Sequence, residues 1–335
     1  MEQNKAIYLY AAKDLRTEVR KLAAPADDEV QVAIRSVTLC GSDIHYYQHY
    51  RNGSIEVREP LCLGHESAGE LVALGSQAST INPDLRIGDT VALECGVPCD
   101  ECDLCASMRY NICPNLRFCS SGSKFPHYRG VLQEKVNHPA QWVHKLPSEL
   151  SPTVGALLEP LAVAFHAGCT DIIMVDIDEG RLQFALENGL AQVTYCVKPK
   201  GATTLEEKLD LARETAHKIG QLKWKDGTAV GQVQRVFECT GTGACLHASI
   251  YATKSGGHVV LVGVGMPNHT LPITDISARE VSLIPTWRYA NDYPIAIHTA
   301  VASATGEKIN SVKLPSLAKL VTHHHKGLDA IHTCL

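Results

Sequence analysis

One stretch decides the fold class of this chain: Asp171-Ile172-Ile173-Met174-Val175-Asp176. It is a near-continuous apolar run, which is typical of a strand that is buried on both faces of a parallel sheet. The segments that follow alternate helical and strand patterns over residues 179–188, 193–197, 205–222, 233–238 and 258–264. Apolar strands that alternate with helices predict an α/β domain in which helices cover both faces of a parallel sheet.

Residues 7–93 show a different pattern, in which short apolar runs are separated by Gly, Pro and Asp. Short strands between turn residues predict a mostly β domain. The tail after Asn291 returns to this pattern. A chain of 335 residues is too long for one typical core. We therefore predict a β domain over residues 1–160, an α/β domain over 161–290, and a return to the first domain over 291–335.

Composition excludes several classes of function. The formal net charge of −5 provides no electrostatic footprint for nucleic acid. No apolar run reaches the length that spans a bilayer, and the first residues lack the basic and apolar segments of a secretory signal. Without a signal peptide, the 13 cysteines are expected to be metal ligands and buried thiols rather than disulfides. We expect a cytoplasmic protein that binds neither nucleic acid nor membranes.

Four cysteines lie close together in one segment of the first domain: Cys99, Cys102, Cys105 and Cys113. Such spacing lets one loop surround a tetrahedral ion with no open position, which predicts a structural zinc site. The alternative is a set of unrelated reduced thiols. A zinc ribbon for nucleic acid is disfavoured because the same loop contains Asp100, Glu101 and Asp103.

A second set of metal-ligand types is spread along the chain: Cys40, His65, Glu66 and Glu159. Taken singly, a cysteine or a histidine is more often a buried or hydrogen-bonded core residue. Glu159 lies between apolar residues, where an unpaired carboxylate would be costly to bury. A thiolate, an imidazole and carboxylates together are the ligands of a catalytic zinc ion.

These residues and their flanking segments resemble the zinc-dependent medium-chain dehydrogenase family, in particular its fungal polyol branch of sorbitol, xylitol and L-arabinitol dehydrogenases. The similarity covers nearly the whole chain in family order. Besides the four-cysteine loop, the segments that carry it are 39–43, 63–69, 136–139, 156–161, 175–181, 238–241 and 288–289.

The resemblance implies a GroES-like domain that carries the structural zinc loop and a Rossmann-type domain for NAD. It implies one catalytic and one structural zinc ion per chain, a small-molecule polyol substrate that is oxidised to a ketose, and a homo-oligomer, either a dimer or a tetramer. The catalytic zinc would be held by Cys40, His65 and a glutamate, either Glu66 or Glu159, while the other glutamate holds the zinc-bound water.

The resemblance also implies roles for further residues. Ser42 and His45 would relay the proton, and Glu159 would act beside them. The polyol hydroxyls would be bound by Tyr46, Glu159, Arg288 and Tyr289. The cofactor would be bound by Asp176, Arg181, Val262, Gly263, Val264 and Trp287.

One element of a dinucleotide site is missing from the sequence. Such a site needs a strand, a G-x-G-x-x-G turn and a helix whose N-terminus meets the pyrophosphate. Asp176 is an acid of the type that binds the adenosine ribose, but between Glu159 and Asp176 there is room for only one helix and one strand. The turn at Gly241-Thr242-Gly243 lacks the third glycine, and we interpret it as a later strand-to-helix turn.

By resemblance, the Rossmann-type domain lacks its first strand, turn and helix, and the chain ends before the family's final helix and strand. Losing the first strand would leave two apolar strands without a shared neighbour. The leading interpretation is a zinc-dependent, NAD-linked polyol dehydrogenase whose cofactor binding is impaired. The alternative is a non-catalytic zinc-binding protein or an inactive subunit derived from such an enzyme.

Overall fold

The computed structural model describes residues 2–167, 172–309 and 312–335, and the chain forms two compact units. Unit 1 comprises residues 1–166 and 288–335, and unit 2 comprises residues 167–287. The predicted boundary at residue 290 put Arg288 and Tyr289 in the middle domain, whereas the structure groups both with unit 1. The reason is packing: Arg288 lies over the Phe118 ring, and Tyr289 belongs to a core cluster of unit 1.

The first part of unit 1 is built mainly from strands and short helices. Its strands are β1 Glu2–Ala11, β2 Asp14–Leu22, β3 Glu29–Thr38, β4 Arg51–Asn52, β5 Ile55–Glu56, β6 Leu61–Cys62, β7 Glu66–Leu74, β8 Thr90–Leu93, β9 Gly96–Val97, β10 Arg117–Phe118, β11 Lys135–Pro139 and β12 Val143–Lys145. Its helices are α1 Gly41–His49, α2 Ala78–Ile81, α3 Asp103–Ala106, α4 Pro152–Ala156 and α5 Leu158–Ala167, with 3-10 turns at Tyr110–Ile112 and Ala140–Trp142.

The central sheet of unit 1 is antiparallel, with the strand order β11-β3-β7-β8-β12. A smaller sheet, in the order β2-β1-β6, lies beside its own apolar cluster. The central core includes Val30, Val32, Leu71, Val91 and Leu93, all fully buried. Short strands separated by turns are what the sequence pattern predicts, and the predicted GroES-like β domain is confirmed.

The tail groups with unit 1, but its predicted β pattern is wrong. After residue 291 the main element is a helix, α10 Tyr293–Thr305, followed by β18 Lys308–Ile309, β19 Val312–Lys313 and 3-10 turns at Leu317–Leu320 and Leu328–Thr333. Residues 293–305 contain no internal glycine or proline beyond Pro294 at the start of the helix, where proline is tolerated. One side of this helix is buried through Tyr293, Ala296 and Ala300.

Unit 2 has the alternation that the sequence predicts. Its elements are β13 Ile173–Asp176, α6 Glu179–Glu187, β14 Val193–Cys196, α7 Leu205–Gly220, β15 Val233–Glu238, α8 Gly243–Ala252, β16 Thr253–Leu261, α9 Ile273–Ala278 and β17 Ser282–Pro285. Helix α7 begins with a capping box in which Thr204 and Glu207 satisfy each other's backbone amides. All paired strands of this unit are parallel, and the predicted Rossmann-type α/β arrangement is confirmed. Among the described residues, no helix has both the length and the apolar composition to cross a membrane.

The parallel strands of unit 2 fall into two sheets rather than one, which we call the split sheet. Within the described part of the chain, β13 pairs only with β14, and β15 pairs only with β16. In a doubly wound sheet of order 3-2-1-4-5-6, the first strand separates the second from the fourth. The division therefore falls where a first strand would lie, and Val175 of β13 is 42% exposed. This agrees with the prediction that two apolar strands lack a shared neighbour.

Candidate active site

Three candidate metal ligands come together in unit 1. One donor atom each of Cys40, His65 and Glu66 lies within 4.8 Å of the others. Cys40 precedes α1 as its N-cap residue, while His65 and Glu66 stand at the start of β7. His65 and Glu66 are buried, and Cys40 is half-buried. A thiolate, an imidazole and a carboxylate that leave a fourth position open are the donor set of a catalytic zinc site, so these residues fit the metal.

A glycine and an aspartate bring the two chain segments together. Gly64 has a φ of +86°, and a Cβ there would lie 2.9 Å from Leu132 Cγ and 3.2 Å from the Leu132 amide nitrogen. Only glycine fits this position without strain. The Gly64 N–H donates to Asp43 Oδ1 at 3.0 Å, and the Cys40 N–H donates to Asp43 Oδ2 at 3.2 Å. Asp43 therefore ties the start of α1 to the turn that precedes His65.

The sequence prediction gave Asp43 no role, although the spacing Cys40–Asp43 is that of a capping pair at a helix start. Asp43 is fully buried, and its Oδ1 lies 3.7 Å from His65 Nδ1. Burial opposes the charged form of His65, but the neighbouring Asp43 outweighs it and raises the pKa of His65 well above its ordinary value. An acid behind a ligating imidazole fixes the orientation of the ring and raises its basicity.

Both glutamates are held in surroundings that disfavour a free carboxylate. Burial raises the pKa of Glu66, which also accepts a short hydrogen bond from the Thr38 hydroxyl. Burial raises the pKa of Glu159 to about 7, and the charge of Glu66 acts in the same direction. Two buried acids that repel each other are relieved by a divalent cation. Of the two glutamates left open by the sequence, Glu66 is the one whose donor atom lies within 4.8 Å of both Cys40 and His65.

Replacing Asp43 should weaken metal binding at this centre alone. Loss of such a supporting acid typically costs about 10–100-fold in metal affinity. We therefore expect Asp43→Asn to release one zinc ion to a chelator at concentrations that leave the unsubstituted chain loaded, because the His65 ring loses its anionic neighbour. The measurement is zinc retained per chain against chelator concentration, and the zinc of the four-cysteine loop is the internal control. Identical release curves for the two proteins would contradict the role given to Asp43.

The candidate substrate residues lie in unit 1 in different settings. Tyr46 is buried, and its hydroxyl accepts a hydrogen bond from the Gly122 N–H at 3.3 Å. The Arg288 guanidinium lies 3.7 Å from the centroid of the Phe118 ring, and burial lowers the pKa of Arg288 to about 10. The Phe118 ring is also 5.4 Å from the His65 ring. Phe118, which the sequence prediction missed, thus connects Arg288 to the metal-ligand candidates.

Tyr289 and the two proton-relay candidates, Ser42 and His45, have no such connection to the candidate metal ligands among the described residues. Tyr289 packs in a core cluster, and its hydroxyl is a buried atom without a hydrogen-bond partner among the described residues. Ser42 and His45 both lie on α1, where His45 is exposed and its ring is 6.2 Å from that of His49. Within the described residues, no side-chain hydrogen bond joins Ser42 or His45 to the candidate metal ligands. Their roles stay predictions.

The four-cysteine loop has the geometry of a structural zinc site. Sulfur–sulfur distances are 3.5 Å for Cys102–Cys105 and Cys99–Cys113, 3.8 Å for Cys102–Cys113 and 4.0 Å for Cys99–Cys105. A tetrahedral ion with zinc–sulfur bonds of about 2.3 Å needs sulfurs about 3.8 Å apart. These cysteines therefore fit a zinc ion with no open coordination position.

The candidate cofactor residues of unit 2 follow its strands. Asp176 ends β13 and is paired with Arg181 through two contacts, of 2.7 Å and 3.1 Å, and this pairing lowers the pKa of Asp176. Val262, Gly263 and Val264 follow β16, and a Cβ on Gly263 would lie 2.3 Å from the Gly241 amide nitrogen. Gly263 is therefore needed where the two loops meet. Trp287 is 38% exposed after β17.

The sequence just before β13 lacks the glycine-rich turn that binds a cofactor pyrophosphate in a dinucleotide site. The five residues between Ala167 and Ile173 include one glycine, and no G-x-G-x-x-G turn precedes β13. We expect the missing segment to belong between Gly168 and Cys169, a point that lies outside the described residues. The described part of unit 2 therefore has no strand, glycine-rich turn and helix before β13, the arrangement that places phosphates at a helix N-terminus.

Comparison with known proteins supports the assignment of a GroES-like part and a dehydrogenase part to this chain. The family model for the alcohol dehydrogenase GroES-like domain matches residues 26–148, and that for the zinc-binding dehydrogenase matches residues 158–302. The chain is 34% identical to sorbitol dehydrogenase of Gallus gallus over 99% of its own length and 93% of that protein. It is 32% identical to L-arabinitol 4-dehydrogenase of Aspergillus oryzae over 98% of its length and 87% of that protein.

The alignment and the fold comparison extend this result. The match to the Gallus gallus protein spans 366 positions, more than the 335 residues of this chain, so the relative contains residues that have no counterpart here. The crystal structure of an Escherichia coli oxidoreductase/dehydrogenase of unknown specificity is similar, with a TM-score of 0.74 and 27% identity, over 92% of this chain and 90% of that one. The chain therefore belongs to the zinc-dependent medium-chain dehydrogenase family.

Proposed function

We propose that this chain is a zinc-dependent polyol dehydrogenase by descent, with intact metal sites and an impaired site for NAD. The observation that carries the proposal is the convergence of Cys40, His65 and Glu66 within 4.8 Å in unit 1. The relatives named for sorbitol and L-arabinitol support a polyol as the substrate class. In the same proposal the chain assembles as a homo-oligomer.

Different residues of the chain would bind the substrate and transfer the proton at the metal centre. Zinc, when bound, supplies a Lewis acid that acidifies the substrate hydroxyl. Glu159, with a pKa of about 7, can exchange a proton near neutral pH. Arg288 and Tyr46 would donate hydrogen bonds to substrate hydroxyls that do not react. Ser42 and the exposed His45 would pass the proton from the site to solvent.

The hydride acceptor used by this family is NAD, whose chemistry belongs to the cofactor rather than to the protein. In this chain the sheet is split at the place where the first strand and its pyrophosphate-binding turn would lie. That observation favours a second candidate function, a zinc-binding subunit without catalytic activity. The two functions predict the same metal content and differ in what happens when the missing element is restored.

The test is to insert a strand–turn–helix segment with a G-x-G-x-x-G turn between Gly168 and Cys169 and to load the protein with zinc. A polyol dehydrogenase will then form NADH when NAD is added together with sorbitol, xylitol or L-arabinitol. An insertion of the same length that lacks the glycines is the matched control. NAD binding by the restored protein without turnover of any polyol would reject the dehydrogenase and support the non-catalytic subunit.

In the protein with the inserted segment, Arg288→Ala should lower the activity on polyols far more than the activity on simple alcohols. Loss of a hydrogen bond from a charged group costs about 1.5–3 kcal/mol, so we expect kcat/KM for a polyol to fall by about 10–150-fold. Turnover of a simple secondary alcohol should change little, because it has no remote hydroxyl for the guanidinium. Equal losses on both substrates would mean that Arg288 acts only by packing on Phe118.

A further inference from the structure

Two free cysteines that have no role in either metal site lie opposite each other in unit 1. Strands β9 and β10 pair antiparallel with Gly96 opposite Phe118, so the next pair in register is Cys95 and Cys119. The Cys119 N–H donates to the Cys95 carbonyl at 3.0 Å, which continues the ladder to this pair. Opposed residues of an antiparallel ladder have Cα atoms about 4.5–5.5 Å apart, within the range of about 4.4–6.8 Å that disulfides use.

The pair is enclosed and lies next to the catalytic centre. Cys95 is 0% exposed and Cys119 is 1% exposed, and they pack with Phe118 and Tyr128. The Cys95 thiol donates a short hydrogen bond to the carbonyl of His65.

We propose that Cys95 and Cys119 are a redox modification site, which closes into a disulfide when the protein meets a hydroperoxide. The strand register sets this pair apart from Cys62, which is equally buried but lies opposite Tyr8 and donates hydrogen bonds to the backbone carbonyls of Leu63, Gly130 and Leu132. A cysteine sulfenic acid that forms beside a second thiol can condense with it to a disulfide, whereas a sulfenic acid without a neighbouring thiol cannot.

The chemistry balances with the hydroperoxide as oxidant. The Cys119 sulfur attacks the outer peroxide oxygen, the O–O bond breaks, and Cys119 becomes a sulfenic acid while the peroxide leaves as an alcohol, or as water from hydrogen peroxide. The Cys95 sulfur then attacks the sulfenic sulfur, the S–O bond breaks, and water leaves. Two thiols have lost two electrons and the peroxide has gained them. The new disulfide removes the hydrogen bond to the His65 carbonyl.

The experiment uses the zinc-loaded full chain and hydrogen peroxide. After treatment, remaining thiols are alkylated in denaturant and the protein is cut with trypsin. Cys119 is the one cysteine in the tryptic peptide of residues 118–124, and Cys95 lies in that of residues 87–109. We expect these two peptides to be joined by a bond that fragmentation places at Cys95 and that dithiothreitol cleaves. We also expect a shift in the visible absorption of cobalt(II) substituted at the catalytic site.

Three matched thiols make the result decisive. Cys239 and Cys245 are exposed and show that the oxidant has reacted. Cys62→Ser should leave the cross-link intact, whereas Cys119→Ser and Cys95→Ser should each abolish it. The proposal is overturned if Cys119 is still fully alkylated once Cys239 and Cys245 are oxidised, or if Cys62 loses its thiol at the same rate as Cys119.

Discussion

Titration of NAD into the unmodified, zinc-loaded chain will give no measurable heat of binding in a calorimeter. No G-x-G-x-x-G turn precedes β13 in the sequence, so we expect the pyrophosphate charge to go unmatched. Asp176 can contact only a ribose, and its carboxylate is already paired with Arg181. One hydrogen bond to a charged group contributes about 1.5–3 kcal/mol, whereas association costs an estimated 4–15 kcal/mol in lost freedom.

The same titration tests where the defect lies. Insertion of a strand–turn–helix segment between Gly168 and Cys169 should recover NAD binding, because it supplies both the missing strand and the phosphate turn. A glycine- and serine-rich insertion of equal length should not. Micromolar binding by the unmodified chain would contradict the prediction and would mean that the loop at Gly241–Gly243 or that at Val262–Gly265 holds the phosphates.

Cys102→Ser should remove the zinc of the four-cysteine loop and unfold that loop. A structural zinc site with one thiolate lost drops below its full tetrahedral ligand set, so the zinc content should fall by about one ion per chain. Binding of structural zinc contributes about 10–16 kcal/mol to small zinc-dependent folds at neutral pH. Within the loop, α3 spans only residues 103–106 and buries no side chain.

Metal analysis by plasma mass spectrometry, together with thermal unfolding, checks this result. Cys245→Ser is the matched control, because Cys245 is exposed at the start of α8 and belongs to neither metal site. We expect the control to keep the full zinc content. An unchanged zinc content in Cys102→Ser would reject the loop as a metal site.

Local patterns indicated the four-cysteine loop as a metal-site candidate and predicted the elements of unit 2. The four cysteines lie within one loop, so their spacing alone indicates how they meet. The strands and helices of unit 2 follow from long apolar runs and helical periodicity. The same reasoning correctly anticipated the split sheet, because a missing strand is visible as missing residues.

What the sequence did not reveal depends on contacts between distant residues. Asp43 matters because Gly64 and His65 approach it from 21 and 22 positions away, which no local pattern records. In the sequence, Phe118 is indistinguishable from an ordinary core aromatic residue; only the structure shows that Arg288 packs on its ring face. The tail was misjudged because an apolar, alanine-rich segment suits a strand or a helix until its length and buried side are known.

The split sheet also changes how unit 2 holds itself together. The apolar cluster formed by Leu246, Ile250, Val259 and Val281 joins α8, β16 and the start of β17, but it includes no residue of β13 or β14. Two parallel strands and one helix, as in β13, α6 and β14, are too few to be stable independently. We therefore expect the half of unit 2 that contains Asp176 to open at a lower free energy than the half that contains this cluster. Faster hydrogen exchange of the β13 and β14 amides than of the β16 amides would show it.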